Sequence, residues 1–310
     1  MKIQTFSIVV GTRACNAKCP FCVSKMTGFE ELPKERSINL RNFKKAAMLA
    51  DRAGTTTVLM TGKGEPTLYP DEVSHYLYLL QDYPFPLIEL QTNGLSMGRL
   101  AVSHYMGVEK DNNWSQGLSA VHLNNWHTLG LNTIALSVVG TVQQHNAKVY
   151  LGDPDADYPP LAATIRYLHQ IGFTVRLCVM MMNGGVGSPN WVRRTIEFCR
   201  EHRVEQLTLR PLRRPHQTSS PDASAYVNRY GLGQDQIRDI RLAVAEIGTP
   251  LISLMHGAEV YDVDGQNVCL SDCLTIDPSN GDIRTLIFYS NGRLTHDWQY
   301  KGAVLLGGQQ

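Results

Sequence analysis

Ile8-Val9-Val10-Gly11-Thr12-Arg13-Ala14-Cys15-Asn16-Ala17-Lys18-Cys19-Pro20-Phe21-Cys22 joins an apolar strand segment to a loop with three cysteines in eight positions. Three thiolates at spacings of four and three can wrap one compact metal site. Iron–sulfur clusters are held by cysteine thiolates, normally four of them, so a set of three leaves one iron open to another ligand. Zinc is the alternative, but a structural zinc site wants four ligands. After Cys22 the next Cys or His is His75, too distant to complete a local knuckle.

Outward from this loop, strand-like and helix-like segments alternate to about residue 247. Strands are expected at 8–10, 57–60, 87–90, 133–139, 173–181 and 206–209. Helices are expected at 39–53, 118–129, 161–170, 191–202 and 234–247. In the first helix Asn39 can cap, Phe43, Ala46, Ala47 and Ala50 form the apolar stripe, and Gly54 ends it. Such alternation predicts parallel strands with right-handed crossovers. Six units fit an α/β fold of the incomplete (β/α)6 TIM-like barrel type, in which the cysteine loop sits at the C-terminal end of the first strand, where barrels build active sites. Residues 1–215 form the expected core. Residues 216–250 read as a lid and a helix, with 213–230, rich in Pro, Ser and Arg, a long ordered loop. Residues 251–310 read as a small β-rich extension of short strands, with Asn291-Gly292 a hairpin turn.

Bulk composition narrows the function classes. The chain has 310 residues, 43% of them hydrophobic and 18% charged, enough apolar surface for a large core. A formal net charge of +1 provides no field for nucleic acid or an anionic membrane. No apolar run reaches the ~18–20 residues of a membrane span, and the N-terminus has no signal-peptide pattern. A cytoplasmic protein is expected. Seven cysteines, three of them clustered, suit a reducing compartment with one metal site.

The Cys15–Cys19–Cys22 pattern after an N-terminal strand, with the aromatic Phe21 before the last cysteine, resembles the signature of the radical S-adenosylmethionine (SAM) superfamily. Thr61-Gly62-Lys63-Gly64-Glu65-Pro66 resembles that family's Gly-Gly-Glu-Pro motif, with Lys63 as a departure. Gln91-Thr92-Asn93-Gly94 resembles its strand-end sequence. The resemblance covers about residues 5–215 by motif order. It implies one 4Fe–4S cluster on Cys15, Cys19 and Cys22, whose open iron is chelated by SAM. One electron then cleaves SAM to a 5′-deoxyadenosyl radical that takes a hydrogen atom from substrate. An electron donor such as a flavodoxin or ferredoxin is an expected partner.

The resemblance also implies cofactor-binding roles. Phe21, Gly62, Gly64, Glu65, Thr92 and Asn93 fall in its motifs, and Glu65 would meet the SAM amino group. Ser137, a polar residue in an apolar strand, is a candidate for the ribose or carboxylate, or bonds to backbone. Arg176 needs an anionic partner, either the SAM carboxylate or an acid such as Glu89. Asn183 binds the ribose or starts a turn. Arg210, Arg213 and Arg214 at the rim of the sixth strand are candidates for an anionic substrate, against the commoner fate of a solvated rim. Cys178, Cys199, Cys269 and Cys273 are expected to be structural, with no second cluster.

Within the superfamily, a small metabolite or natural-product intermediate is the favoured substrate, because Met1 lies a few residues before the first strand and leaves no leader-peptide recognition domain. A peptide-modifying or protein-activating enzyme is the alternative. A non-catalytic zinc or iron–sulfur protein is the reading from a different class.

Overall fold

The structure, a computed structural model, describes residues 2–27, 37–107, 117–215, 218–254, 257–271 and 283–308. Its strands are β1 (Ile3–Val9), β2 (Thr57–Thr61), β3 (Leu87–Thr92), β4 (Thr133–Val138), β5 (Thr174–Met181) and β6 (Gln206–Pro211), followed by β7 (Thr249–Ser253), β8 (Glu259–Val263), β9 (Gln266–Leu270), β10 (Ile283–Tyr289), β11 (Leu294–Thr295) and β12 (Val304–Leu306). The helices are α1 (Val23–Met26), α2 (Leu40–Arg52), α3 (Pro70–Leu80), α4 (Leu95–Met106), α5 (Ala120–Thr128), α6 (Gln143–Asn146), α7 (Leu161–Ile171), α8 (Pro189–Glu201), α9 (Pro221–Tyr230) and α10 (Gln234–Ile247).

Strands β1 to β6 pair in parallel and in chain order, the expected α/β partial barrel. The segment past 247 does not stand apart from it. β9 pairs in parallel with β6, and β10 pairs in parallel with β1. Eight parallel strands therefore lie side by side, not six. Antiparallel β8 and β7 continue one edge, and β11 and β12 the other, in a single 12-stranded sheet. The open edges of β1 and β6 would otherwise present rows of unpaired backbone groups. Asn291-Gly292 makes the turn between β10 and β11, with Gly292 at φ 88°.

The strands alternate with period two. Phe6, Ile8, Val58, Met60, Leu90, Ile134, Val175, Leu177, Leu207, Leu209, Leu286 and Phe288 are buried in one apolar core. Helix α2 packs there through Phe43, Ala46, Ala47 and Ala50, and Asn39 caps it by accepting from Asn42 N at 3.0 Å. Phe43 meets Phe288 edge-on at 5.3 Å. Burying each large apolar side chain is worth about 1.5–3 kcal/mol, which fixes this face against the helices. The opposite face is polar: Thr5, Ser7, Thr57, Thr61, Glu89, Gln91, Arg176 and Arg210 line a lumen.

The segment expected as a loop over 213–230 contains α9. Ser220 caps it by accepting from Ala223 N at 3.4 Å, and Pro221 occupies its first turn. Among the described residues no helix is long and apolar enough to cross a membrane.

Candidate active site

The cysteine loop leaves β1 at its C-terminal end and is held from three directions. Val10 N donates to Thr61 O at 2.7 Å, Glu65 N donates to Ala14 O at 3.0 Å, and Lys18 N donates to Tyr150 O at 2.7 Å. Tyr150 belongs to a π-helical turn, Ala147–Leu151, which continues α6. Such wide turns are rare and recur at functional sites. A Cβ on Gly64 would lie 2.0 Å from Ala14 O, whereas one on Gly62 would meet its nearest atom, Gly64 O, at 3.1 Å. Gly64 is thus the position where the backbone approach demands glycine.

Cys15 is exposed, and Cys19 and Cys22 are half-buried. Burial pushes the Cys15 and Cys19 thiols up, and the charge of the neighbouring cysteines pushes them further. A bound multi-iron cation would reverse the cost of ionising these thiols. Among the described residues no three Cys, His, Asp or Glu side chains converge on one ion-sized point. A 4Fe–4S cube takes its thiolates at separate corners, and a set of three cysteines suits a cluster with one open iron, where a closed zinc site wants four ligands. Cys15 Sγ accepts from Ala17 N at 3.4 Å and from Asn93 Nδ2 at 3.8 Å.

The wall around the loop is aromatic and apolar. Phe21 and Met26 pack with Tyr150, Tyr158, Met182, Leu212 and Val227. The Phe21 ring lies 6.0 Å from that of Tyr226 on α9. Sequence reasoning missed Tyr150, Tyr158 and Tyr226, because nothing local marks a tyrosine that reaches a loop more than a hundred residues away.

Glu65, 3% exposed, organises the strand ends. Its Oε1 accepts from Thr67 N at 3.0 Å, Thr67 Oγ1 at 2.8 Å and Thr92 Oγ1 at 2.6 Å. Its Oε2 accepts from Asn93 N at 2.9 Å. Burial raises its pKa, and these donors oppose the shift. Oε1 is saturated, and Oε2 retains room for one more donor. Thr92 is directed at Glu65. Asn93 links Glu65 to the cysteine loop, its Nδ2 also donating to Asn16 Oδ1 at 2.7 Å.

The remaining candidates separate. Ser137 is half-buried and sits in a row across the sheet with Cys178, Thr208 and Cys269. Arg176 forms its ion pair with Glu89, Nη2 to Oε1 at 2.5 Å, so the acid of the barrel is its partner in this structure. Asn183 spends its amide on the α9–α10 connection, donating to Gly231 O and accepting from Gln236 Nε2, both at 3.0 Å. Arg210 lines the lumen, Arg213 is half-buried and Arg214 is exposed. Cys199 is buried on α8 in the apolar core. Cys273 lies outside the described residues.

The lumen is a cavity of about 810 Å³. Val23, Ser24 and Thr27, just after Cys22, line it together with Glu89, Arg176 and Arg210. His296, Trp298 and Tyr300 close one side. Sequence reasoning missed this wall and the polar lining. The alternation of Thr5 with Phe6 and of Ser7 with Ile8 was a readable signal for the lining.

Residues 9–199 match the family model described as the Radical SAM superfamily. No curated protein sequence matches the chain. Among solved structures, Streptococcus suis SuiB bound to S-adenosylmethionine superposes with a TM-score of 0.57 at 13% identity, covering 99% of this chain and 61% of that one. This chain therefore spans less than two thirds of SuiB's length. Native anSMEcpe with bound AdoMet gives 0.55 at 11% identity, covering 99% and 78%. A radical SAM methyltransferase from Sphaerobacter thermophilus gives 0.51 at 16% identity, covering 86% and 66%. The cysteine triad, the Glu65-centred strand ends and a family match over more than half its length agree, and the chain belongs to the radical SAM superfamily, whose members work with a 4Fe–4S cluster and SAM.

Proposed function

We propose that this chain is an enzyme that removes a hydrogen atom from a substrate held in the barrel lumen, and that the substrate is a small anionic metabolite or natural-product intermediate. The observation that carries this reading is the continuity of the cavity. It runs from the residues that follow Cys22 to polar side chains deep in the sheet. When bound, the cluster and SAM supply the carbon-centred radical; the protein supplies position and shelter.

In this reading Cys15, Cys19 and Cys22 hold the cluster, and a flavodoxin- or ferredoxin-type donor reduces it. Gly64 lets the loop after β2 close on the cysteine loop. Glu65 Oε2 offers its remaining lone pair to the SAM ammonium, with Thr92 and Asn93 fixing its rotamer. Ser137 is placed for the ribose or carboxylate, and Phe21 for the apolar wall. Residues 1–215 act as the catalytic core, 216–250 cover the cluster side through α9, and 251–310 wall the lumen. With a net charge of +1 and no basic face required by the site, nucleic acid is not the substrate.

A peptide substrate is the second reading. SuiB has been solved with its precursor peptide SuiA, and anSMEcpe with the peptide Kp18Cys. A cavity of 810 Å³ admits a side chain as readily as a metabolite. Anaerobic reconstitution followed by a screen of metabolites and peptides, read out as 5′-deoxyadenosine, separates the two. Stimulation by peptides alone removes the small-molecule reading, and no SAM cleavage under any condition removes both.

A further inference from the structure

Two buried tyrosines stand against the cysteine loop. The chain that carries them is fixed after β4 by Asn146, which is fully buried: its Oδ1 accepts from Val139 N at 3.0 Å and its Nδ2 donates to Gly140 O at 2.9 Å. The π-helical turn Ala147–Leu151 follows and stops at Gly152, φ 84°. It sets Tyr150 beside the loop, where the Tyr150 carbonyl takes the amide of Lys18, one residue before Cys19. Gln143 Nε2 holds Tyr158 by donating to its carbonyl at 2.5 Å, and the two tyrosine rings lie 6.1 Å apart. Cys19 packs against the apolar group that contains both rings.

The two side chains are almost fully enclosed, Tyr150 3% and Tyr158 4% exposed. Neither hydroxyl has a hydrogen-bond partner among the described residues. An enclosed O–H without an acceptor is costly and uncommon in a native fold. Of the ionisable groups around Tyr150, Cys19 acts on it most strongly, ahead of Tyr158, Cys178 and Cys15, and Cys19 also acts on Tyr158. Burial pushes both phenols up, and the cysteine charge pushes them further, so both stay O–H donors. Cys15 Sγ already takes Ala17 N and Asn93 Nδ2, whereas Cys19 Sγ takes its own amide and keeps room for a further donor.

We propose that Tyr150 and Tyr158 serve the cluster, their hydroxyls donating to the sulfurs at Cys19 and so raising the potential at which the cluster accepts its electron. The proposal rests on the reading that Cys15, Cys19 and Cys22 hold the cluster. Hydrogen bonds to cluster sulfurs are one of the levers a protein has on reduction potential. The electron from the flavodoxin- or ferredoxin-type donor adds negative charge, and a donor O–H in an enclosed site stabilises that charge more than it stabilises the oxidised form. Without these donors the same apolar wall would make the cluster harder to reduce.

The test is an EPR-monitored redox titration of anaerobically reconstituted full-length protein, without SAM or substrate, so that turnover plays no part. Iron analysis and calorimetry with SAM accompany it. Tyr150→Phe and Tyr158→Phe each remove one oxygen. Each should keep wild-type iron and SAM affinity, while the reduced-to-oxidised ratio at the wild-type midpoint falls by roughly three-fold or more. Tyr76→Phe is the control: its hydroxyl is also buried without a partner, but in the apolar core, and its loss should leave the ratio unchanged. 3-Fluorotyrosine at position 150 is a stronger donor and should raise the ratio, and it decides the matter if Tyr150→Phe fails to load iron. An unchanged or higher ratio in either Phe variant overturns the role of that tyrosine. Lost SAM affinity with an unmoved potential also overturns it, because the hydroxyl would then serve SAM. Wild-type protein that takes up no cluster sinks the cysteine reading together with this one, whereas a loaded cluster with an unmoved potential sinks this one alone.

Discussion

Thr92 Oγ1 donates to Glu65 Oε1 across 2.6 Å, tying the end of β3 to the loop after β2. Together with the Thr67 and Asn93 donors it fixes the carboxylate that the proposed function assigns to the SAM ammonium. Glu65→Gln places a donor where acceptors are required. Losing a hydrogen bond to a charged group costs about 1.5–3 kcal/mol, so SAM affinity should fall roughly 10- to 150-fold. Calorimetry measures the affinity and iron analysis shows whether the cluster is retained. Unchanged affinity would remove Glu65 from the site.

Gly64 and Gly62 should respond differently to a methyl group. Gly64→Ala drives Cβ against Ala14 O and breaks the Glu65 N to Ala14 O bond that positions the cysteine loop. Reconstitution of Gly64→Ala should give a fraction of the wild-type iron with folding intact by circular dichroism. Gly62→Ala, with its looser contact, should retain most of it. Equal iron in both variants would contradict the close-approach argument.

Replacing Cys15, Cys19 and Cys22 together with Ala should abolish iron binding. Cys269→Ala should leave roughly four irons per chain, because among the described residues Cys269 has only Cys178 near it, in the same row across the sheet beside Thr208. Mössbauer spectra with iron counts decide both. Iron retained in the triple variant would overturn the cluster assignment.

Lys63 gives a pH signature in the apoprotein. Its folded pKa, about 8, lies below the ordinary value of 10.5. Below pH 8 both states are protonated and the folded state carries the whole cost of the buried ammonium. From pH 8 to 10.5 the unfolded chain binds more protons, so the cost is relieved as pH rises. Relative to Lys63→Met, wild-type stability should therefore rise across this window by up to about 3 kcal/mol. Parallel urea titrations at several pH values check the sign; a difference that is flat or falls with pH would refute it.

The β/α alternation was legible because β2 to β6 are short apolar runs bounded by turn residues. Helix α10 was legible through its stripe of Ile237, Ile240 and Val244. Helix α9 was hidden by a Pro- and Ser-rich sequence, although Ser220-Pro221-Asp222 is itself a helix start. Strand β9 was passed over although Asp264-Gly265 stands before it, and both residues adopt positive φ, 49° and 85°. The cysteines and Glu65 were legible as a local pattern. The engagement of Arg176 with Glu89 was left open, since strand β4 lies between their strands and only the built sheet brings them together. Lys63 was seen as an irregularity in a motif, but its contact with the Trp298 ring exists only once the sheet brings the C-terminal segment to the lumen.

The pairing of β10 with β1 bears on how the protein is made. Ser7 and Thr285 share a hydrogen bond at 2.8 Å across 278 residues of chain. During synthesis the first strand leaves the ribosome long before its neighbour exists. At about 5–20 residues per second it waits roughly 15 to 55 seconds with one edge open. The interval spans nearly the whole translation of the barrel, and the cysteine loop attached to that strand is assembled within it. A nascent chain stalled before residue 283 should therefore bind holdase chaperones and resist cluster loading, and release of the last strands should end both.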